Sequence, residues 1–333
     1  MSLPSDSILS QFQVIRYQPK LSADWNAFIN TAKNATFLFD RNFMDYHSDR
    51  FEDFSLCIYR KGSLFAVIPA HQKDKELYSH RGLTYGGMVL QEDAKLFDVW
   101  EALQAMLKFL HKHGITHWSV KIPPTFYNTI PSDELEYILY RTGAELTKKD
   151  VLMVIDYQHQ IPFQKNRREG LNKAKRNGLR VAVDDNFEGF WKEVLIPNLK
   201  QKHDVSPVHS LDEIRLLAHR FPNNIKQVSV YKDNELVAGT TVFLTKTTVH
   251  PQYVSGKASK NAYGSLDLAY DFCIHHWKEG RRYFDFNISS EEDGKLLNPG
   301  LIFWKETCGA RSFTADNYRI ATHIYDQLKP PTT

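Results

Sequence analysis

Cysteine is scarce in this chain, with three among 333 residues, at Cys57, Cys273 and Cys308. They are odd in number, far apart and without C-x-x-C spacing, which argues against a disulfide framework and a sequence-local zinc or redox site. They read as reduced, buried, small apolar residues. No apolar run is long enough to cross a bilayer, and Met1–Asp6 lacks the basic segment and apolar run of a signal peptide. A cytoplasmic protein without an integral membrane segment is therefore expected. An excess of one charge is also missing: 42 basic residues face 39 acidic ones, a net charge of +3. That is too little for the whole protein to coat nucleic acid, so any basic partner site must be local. The 14 histidines include His111, His113 and His117 around one helix end, but no H-E-x-x-H or comparable ligand spacing, and no metal is expected. No Ser/His/Asp motif or nucleophilic-cysteine signature is apparent, which favours direct attack between two substrates over a covalent enzyme intermediate.

What is present is an ordinary globular composition, 42% hydrophobic and 24% charged, in a chain longer than a single core usually serves. Two domains are the default. Leu56–Tyr59, the turn Lys61-Gly62 and Leu64–Ile68 read as a hairpin. More strand-like sequence surrounds Gly82 to Leu90. Leu96, Val99, Trp100, Leu103, Leu107 and Leu110 keep helical spacing up to a stop at Gly114. A strand Thr116–Ile122, a short helix Asp133–Arg141 and a strand Glu145–Ile155 complete the first half. The second half repeats the plan: a hairpin Val228–Leu244 turning at Asp233-Asn234, a strand Thr247–Ser255, a helix Ser265–Glu279, a strand Tyr283–Ile288, a helix Leu301–Thr307 and a strand Ser312–Ile320.

An offset of 172 separates Leu56 from Val228 and Leu64 from Leu236, and an offset of 166 separates Gly114 from Gly280 and Gly143 from Gly309. Offsets this constant across turns and helix stops predict a duplicated domain. The expected boundaries are an N-terminal lobe over 1–160 and a C-terminal lobe over 161–333, the latter opening with a basic, mostly helical segment, 161–224.

The segment Arg167–Gly178, the run Val237-Ala238-Gly239, the stretch Gly280–Phe286 and the stretch Gly300–Gly309 together resemble FemAB-like proteins, a branch of the GNAT acetyltransferase superfamily. The resemblance implies an α+β fold with two tandem GNAT-like lobes, each a central mixed, mostly antiparallel sheet flanked by helices. It implies transfer of an acyl or aminoacyl group to a small-molecule or cell-wall-type amine, with acyl-CoA or the acceptor end of aminoacyl-tRNA as co-substrate and no tightly bound cofactor. One departure bears on the donor. The Q/R-x-x-G-x-G/A pyrophosphate loop of simple GNAT enzymes is not intact, and its expected place holds Gly256–Gly264.

Acyl transfer to an amine needs a held carbonyl, a donor to the developing oxyanion and a group that removes a proton. Asp285 sits centrally on an otherwise apolar strand, where a carboxylate requires a partner or a task. Alternation puts Phe284, Phe286 and Ile288 on one face of that strand and Tyr283, Asp285 and Asn287 on the other. By the 166 offset, Asp285, Asn287 and Lys305 align with Ser119, Lys121 and Leu139, so the first copy lacks all three. They are the catalytic candidates: Lys305 either binds a donor phosphate or polarises the carbonyl, or it snorkels from an amphipathic helix.

Lys257, Lys260, Asn261, Gly264 and Ser265, leading into a helix N-terminus, are candidates for donor phosphate, as are Arg167, Arg168 and Arg176 on the basic helix. An ordinary capped helix and a solvated charged face explain the same residues. Tyr253 and Tyr283 are candidates for the substrate side. A catalytically idle protein binding a nucleotide-like or amine ligand is the reading from a different functional class.

Overall fold

Alternating apolar residues and a tight turn build one hairpin in each half of the fold. The computed structural model describes residues 11–330, so Met1–Asp6 lie outside the described residues. The chain divides into two units, one running to Lys148 and resuming at Asp316, the other spanning Lys149–Ala315.

In the first unit, β1 (Phe12–Arg16), β2 (Leu56–Arg60) and β3 (Ser63–Ile68) pair antiparallel in that order, with Val89–Leu90 on the far side of β3. Lys61 and Gly62 both take positive φ, 50° and 83°, the twist that a two-residue hairpin turn requires. A short strand β4 (Glu76–Tyr78) lies parallel to β5 (His117–Lys121), as the intervening helix α1 (Leu96–Lys112) permits. The stripe Val99, Leu103, Met106, Leu107 and Leu110 of α1 joins Leu56, Ile58, Phe65, Trp118 and Val120 in one core. Each such side chain contributes about 1.5–3 kcal/mol when fully buried. Helix α2 (Glu134–Arg141) and strand β6 (Glu145–Asp156) follow.

The second unit holds helix α3 (Lys165–Arg176), strand β7 (Leu179–Asp184), helix α4 (Leu211–Arg220), strands β8 (Ile225–Lys232), β9 (Glu235–Leu244) and β10 (Thr248–Gly256), helix α5 (Ser265–His276), strand β11 (Tyr283–Ile288), helix α6 (Pro299–Thr307) and the start of β12 (Arg311–Ala321). Its sheet runs β7-β8-β9-β10-β11-β6. Met153, Val228, Val242, Val249, Cys273, Ile274, Phe284, Phe286 and Cys308 form its core.

The duplication extends to irregularities. The first hairpin slips register between Ile58 and Tyr59, the second between Val230 and Tyr231, again 172 apart. Glu76 pairs in parallel with His117, and Thr248 with Tyr283, which keeps both offsets. Gly114, Gly280, Gly143 and Gly309 all have positive φ.

Several expectations are revised. The contact division does not fall at 160/161: Lys149 onward belongs to the second unit, and Asp316 onward returns to the first. Strand pairing explains this, because Leu152–Asp156 of β6 pair with β11 while Asn317–Ala321 of β12 pair with β5. The segment 161–224 contains a strand as well as helices, since Leu179–Asp184 pairs residue by residue with β8. Around Gly82–Leu90 only Val89–Leu90 is a strand. The three cysteines are buried and free, and burial raises all three thiols, those of Cys57 and Cys308 to about 12. Among the described residues no helix is long and apolar enough to cross a membrane, and no group of His, Cys, Asp and Glu could hold a metal.

Candidate active site

Strands β10 and β11 pair in parallel at only two positions, Thr248 with Tyr283 and Val249 with Phe284. Both strands continue beyond that pair, and side chains take over the connection. His250 Nδ1 donates to Asp285 Oδ2 at 3.0 Å, with the two residues 4% and 1% exposed. The other ring nitrogen, Nε2, lies 3.1 Å from the Gln252 side chain.

Two bulges flank this bridge. Thr241 pairs with Tyr253 and Val242 with Pro251, which leaves Gln252 as the extra residue on β10. On the other side, β11 slips against β6 between Asp285 and Ile288, and Asn287 takes a φ of 68°. A bulge re-aims side chains and interrupts the ladder, and asparagine tolerates the left-handed conformation better than most residues. The alternation expected for β11 therefore holds only as far as Phe286, and Ile288 is exposed. Asp285 Oδ1 accepts the Asn287 N–H at 2.7 Å, and Asn287 Oδ1 accepts the Ile288 N–H at 2.7 Å.

Lys305, on α6, reaches the same bulge. Its ammonium donates to the Asn287 carbonyl (2.9 Å), the Ile288 carbonyl (2.7 Å) and Ser289 Oγ (2.8 Å). The residue is 3% exposed, which excludes the snorkelling arrangement. Burial pulls its pKa down to about 8, against the opposing pull of the Asp285 carboxylate. Asp285, Asn287 and Lys305 are thus brought together, and Lys305 acts on the backbone of the bulge.

Several of the residues singled out for donor phosphate are engaged within the protein. Lys257 is ion-paired with Glu235 (2.9 Å) and Glu193 (3.7 Å). Arg167 is paired with Asp267 at 2.7 Å. The start of α5 is covered by α3: a Cβ on Gly264 would run into the Gly170 carbonyl, and one on Gly170 into the Asp267 carboxylate. Gly264 itself has a φ of 71°, so it serves as a close-approach glycine between two helices. Ser265 is fully buried there, and its hydroxyl has no hydrogen-bond partner. Gly264 and Ser265, expected to hold donor phosphate, thus lie where the turn before α5 packs against α3. Asn261, Arg168 and Arg176 are exposed, and Lys260 is partly so.

Tyr253 is buried, with its hydroxyl 2.5 Å from His209 Nδ1 and its ring edge-on to Trp191, so it supports the core. Tyr283 lies under the Arg282 guanidinium, 5.0 Å from the ring centre.

Sequence reasoning missed His250, Gln252 and Ser289. A signal existed for the first two: a histidine in the apolar run of β10 with glutamine two residues on, facing the strand that carries Asp285.

Residues 163–294 match a family model described as an acetyltransferase (GNAT) domain. The matched segment lies within the second unit. The fold of the chain is similar to the crystal structure of FemX, with a TM-score of 0.64 at 12% identity, covering 95% of this chain and 99% of that one. It is also similar to L-PGS from Bacillus licheniformis (TM-score 0.58, 10% identity, 93% and 94% covered). The C-terminal domain of a putative lysylphosphatidylglycerol synthetase from Agrobacterium fabrum gives 0.52 at 13% identity, with 79% and 82% covered. At these identities the likeness is one of fold. No curated protein matches the chain.

Within the matched segment, the opening between β10 and β11 presents a histidine oriented by a buried carboxylate. A neutral ring that gives Nδ1–H to Asp285 carries its lone pair on Nε2, where the Gln252 amide can donate; a protonated ring donates to Gln252 instead. Such a group can accept a proton and return it.

Proposed function

We propose that this protein transfers an aminoacyl or acyl group to an amine acceptor by direct attack, with His250 as the general base and Asp285 as the residue that orients it. The observation that carries this reading is the buried His250–Asp285 pair bridging the point where β10 and β11 part. The acceptor arrives as an ammonium and gives a proton to His250 Nε2. Its nitrogen then attacks the donor carbonyl carbon, and the tetrahedral intermediate collapses with cleavage of the bond to the donor's sulfur or ribose oxygen. His250 returns that proton to the leaving group, and the second proton lost by the attacking nitrogen passes to solvent. Lys305 is a positioning residue, because all its N–H groups are given to the bulge that presents Asn287 and Asp285.

Aminoacyl-tRNA is the favoured donor. The covered start of α5 disfavours a pyrophosphate there, whereas the exposed Arg168 and Arg176 of α3 suit a phosphate backbone. Acyl-CoA is the second reading, favoured by the match of residues 163–294 to an acetyltransferase domain. The acceptor is a small-molecule or cell-wall-type amine, and the protein works in the cytoplasm, where both donors occur.

A thermal-shift comparison of acetyl-CoA with charged and uncharged tRNA tests the donor. A ligand at a hundred times its Kd stabilises the native state by about 2.7 kcal/mol. Stabilisation by charged tRNA together with amide formation on an added amine is expected. Stabilisation by acetyl-CoA alone reverses the donor, and binding without turnover of either donor leaves a catalytically idle binding protein.

A further inference from the structure

In the second unit the chain that leads into α3 closes the space beside the end of α6. Gln164 N–H donates to the Thr307 carbonyl at 2.9 Å, and a Cβ on Gly309 would run into the Ile161 carbonyl. By the 166 offset, Thr307 and Cys308 align with Arg141 and Thr142 at the end of α2 in the first unit. There the covering segment is a different one, the chain that follows β12 through the 3₁₀ helix Thr322–Asp326. It packs along α1, where Gln104 Nε2 donates to the Tyr325 carbonyl at 2.9 Å. This cover leaves a cavity of about 300 Å³, lined among others by Trp100, Arg141, Ile324, Gln327, Leu328 and Lys329.

The inner wall of the cavity is apolar. Trp100 and Leu328 are buried, and Ile324 packs against the same core. The Trp100 indole N–H is buried without a hydrogen-bond partner, an uncommon state for a buried donor.

The charged groups lining the cavity are cationic. Arg141 and Lys329 are exposed, and among the described residues neither side chain has an ion-pair or hydrogen-bond partner. No lining residue is acidic. Of the carboxylates on the same segments, Glu101 accepts from Gln11 Nε2 at 2.6 Å, and Asp326 lines a neighbouring cavity that Lys329 also borders. The end of α2 presents few open carbonyls to an anion, because those of Ile138, Leu139 and Tyr140 already accept the N–H groups of Thr142, Ala144 and Gly143.

We propose that this cavity in the first unit binds a small organic monocarboxylate, with its carboxylate held by Arg141 and Lys329 and its apolar body against Trp100, Ile324 and Leu328. Ligand pockets run from about 300 to 1,000 Å³, so a cavity at the lower end takes a small molecule rather than a nucleotide or a length of peptide. The site lies wholly within the first unit and stands whether or not the second unit is catalytic.

The test titrates the full-length chain, isotopically labelled, with hexanoate, hexanol and inorganic phosphate separately at constant ionic strength. The reporters are the Trp100 indole N–H resonance, assigned by its loss in Trp100→Phe, and the amides of Thr142 and Leu328. Saturable shifts with hexanoate are expected, and the alcohol and phosphate should each bind at least about tenfold more weakly. Arg141→Gln and Lys329→Gln should each weaken hexanoate binding about fivefold, the contribution of one exposed charge, without disturbing the fold. Absence of saturable shifts with hexanoate, or shifts confined to other residues, overturns the site. Hexanol binding as tightly as hexanoate would reduce it to an apolar cavity, and phosphate doing so would reduce it to a bare anion site. Either result overturns the carboxylate assignment, as does hexanoate affinity unchanged in both glutamine variants.

Discussion

The two units share a topology down to the residue at which a hairpin slips, yet where the parallel strands part they differ completely in chemistry. The second unit has His250, Asp285 and Asn287 there, buried and hydrogen-bonded, with Lys305 clamping the bulge. The first has Tyr78, Ser119 and Lys121 at the matching positions. The backbone creates the opening, because a parallel pair that separates leaves a gap that no ladder fills. Side chains decide whether the gap can handle a proton. Duplication preserved the first property and let the second diverge.

The largest effect that sharpens this contrast belongs to the second unit. Asp285→Asn and His250→Gln should each lower kcat by about 10²–10⁴, the range of general acid–base catalysis, with little change in melting temperature for the conservative amide at 285. Hexanoate affinity in the first unit should not change. Parallel loss of turnover and hexanoate binding would merge the two sites and break the contrast.

Acid should distinguish the units next. Burial lowers the His80 pKa to about 2 and that of His71 to about 4, whereas an unfolded histidine titrates near 6.5. Below pH 6.5 the unfolded chain takes up protons that the folded first unit refuses, so stability falls as pH falls. For His80 the loss is on the order of 3 kcal/mol by pH 4. Hydrogen exchange followed separately in the two units should show protection lost around His71 and His80 first; simultaneous loss in both units would remove the distinction.

Lys305→Met should cost about 2 kcal/mol in urea unfolding, because the Asn287 and Ile288 carbonyls and the Ser289 hydroxyl lose their donor. A fold left at parent stability would show that Lys305 is not the clamp. The same variant tests the ionisation. Above about pH 8 the folded lysine releases its proton while the unfolded one keeps it to about 10.5, so stability rises with pH, by about 1 kcal/mol between pH 8 and 9. With methionine at 305 that rise should vanish.

The smallest effect is expected on α3. Arg168→Gln with Arg176→Gln should raise KM for aminoacyl-tRNA a few-fold and flatten its salt dependence, since exposed charges contribute about 1 kcal/mol or less each. An unchanged salt slope would return this helix face to plain solvation.

Much of the plan was legible in the sequence. The stripe Val99, Leu103, Leu107 and Leu110 specified a helix by its period, and turn residues specified both hairpins. The offset between copies was readable because glycines at helix ends must take positive φ in either copy. Asp285, Asn287 and Lys305 stood out as polar groups in apolar surroundings, and they do meet. The contacts of Lys257 with Glu235, of Arg167 with Asp267 and of Gly264 with Gly170 were not legible, because the partners are distant in sequence.

By itself the sequence determined the identity and order of nearly all the elements, their duplication and the unequal polarity of the two copies, since these depend on local periodicity, turn chemistry and residue type. Tertiary structure decided the rest. It paired the last strand of each copy with a strand of the other, drew His250 onto Asp285 across 35 positions, buried Lys305 against the bulge and covered the start of α5. These outcomes depend on register and close packing between segments remote in sequence, where a slip of one residue turns a side chain to the opposite face.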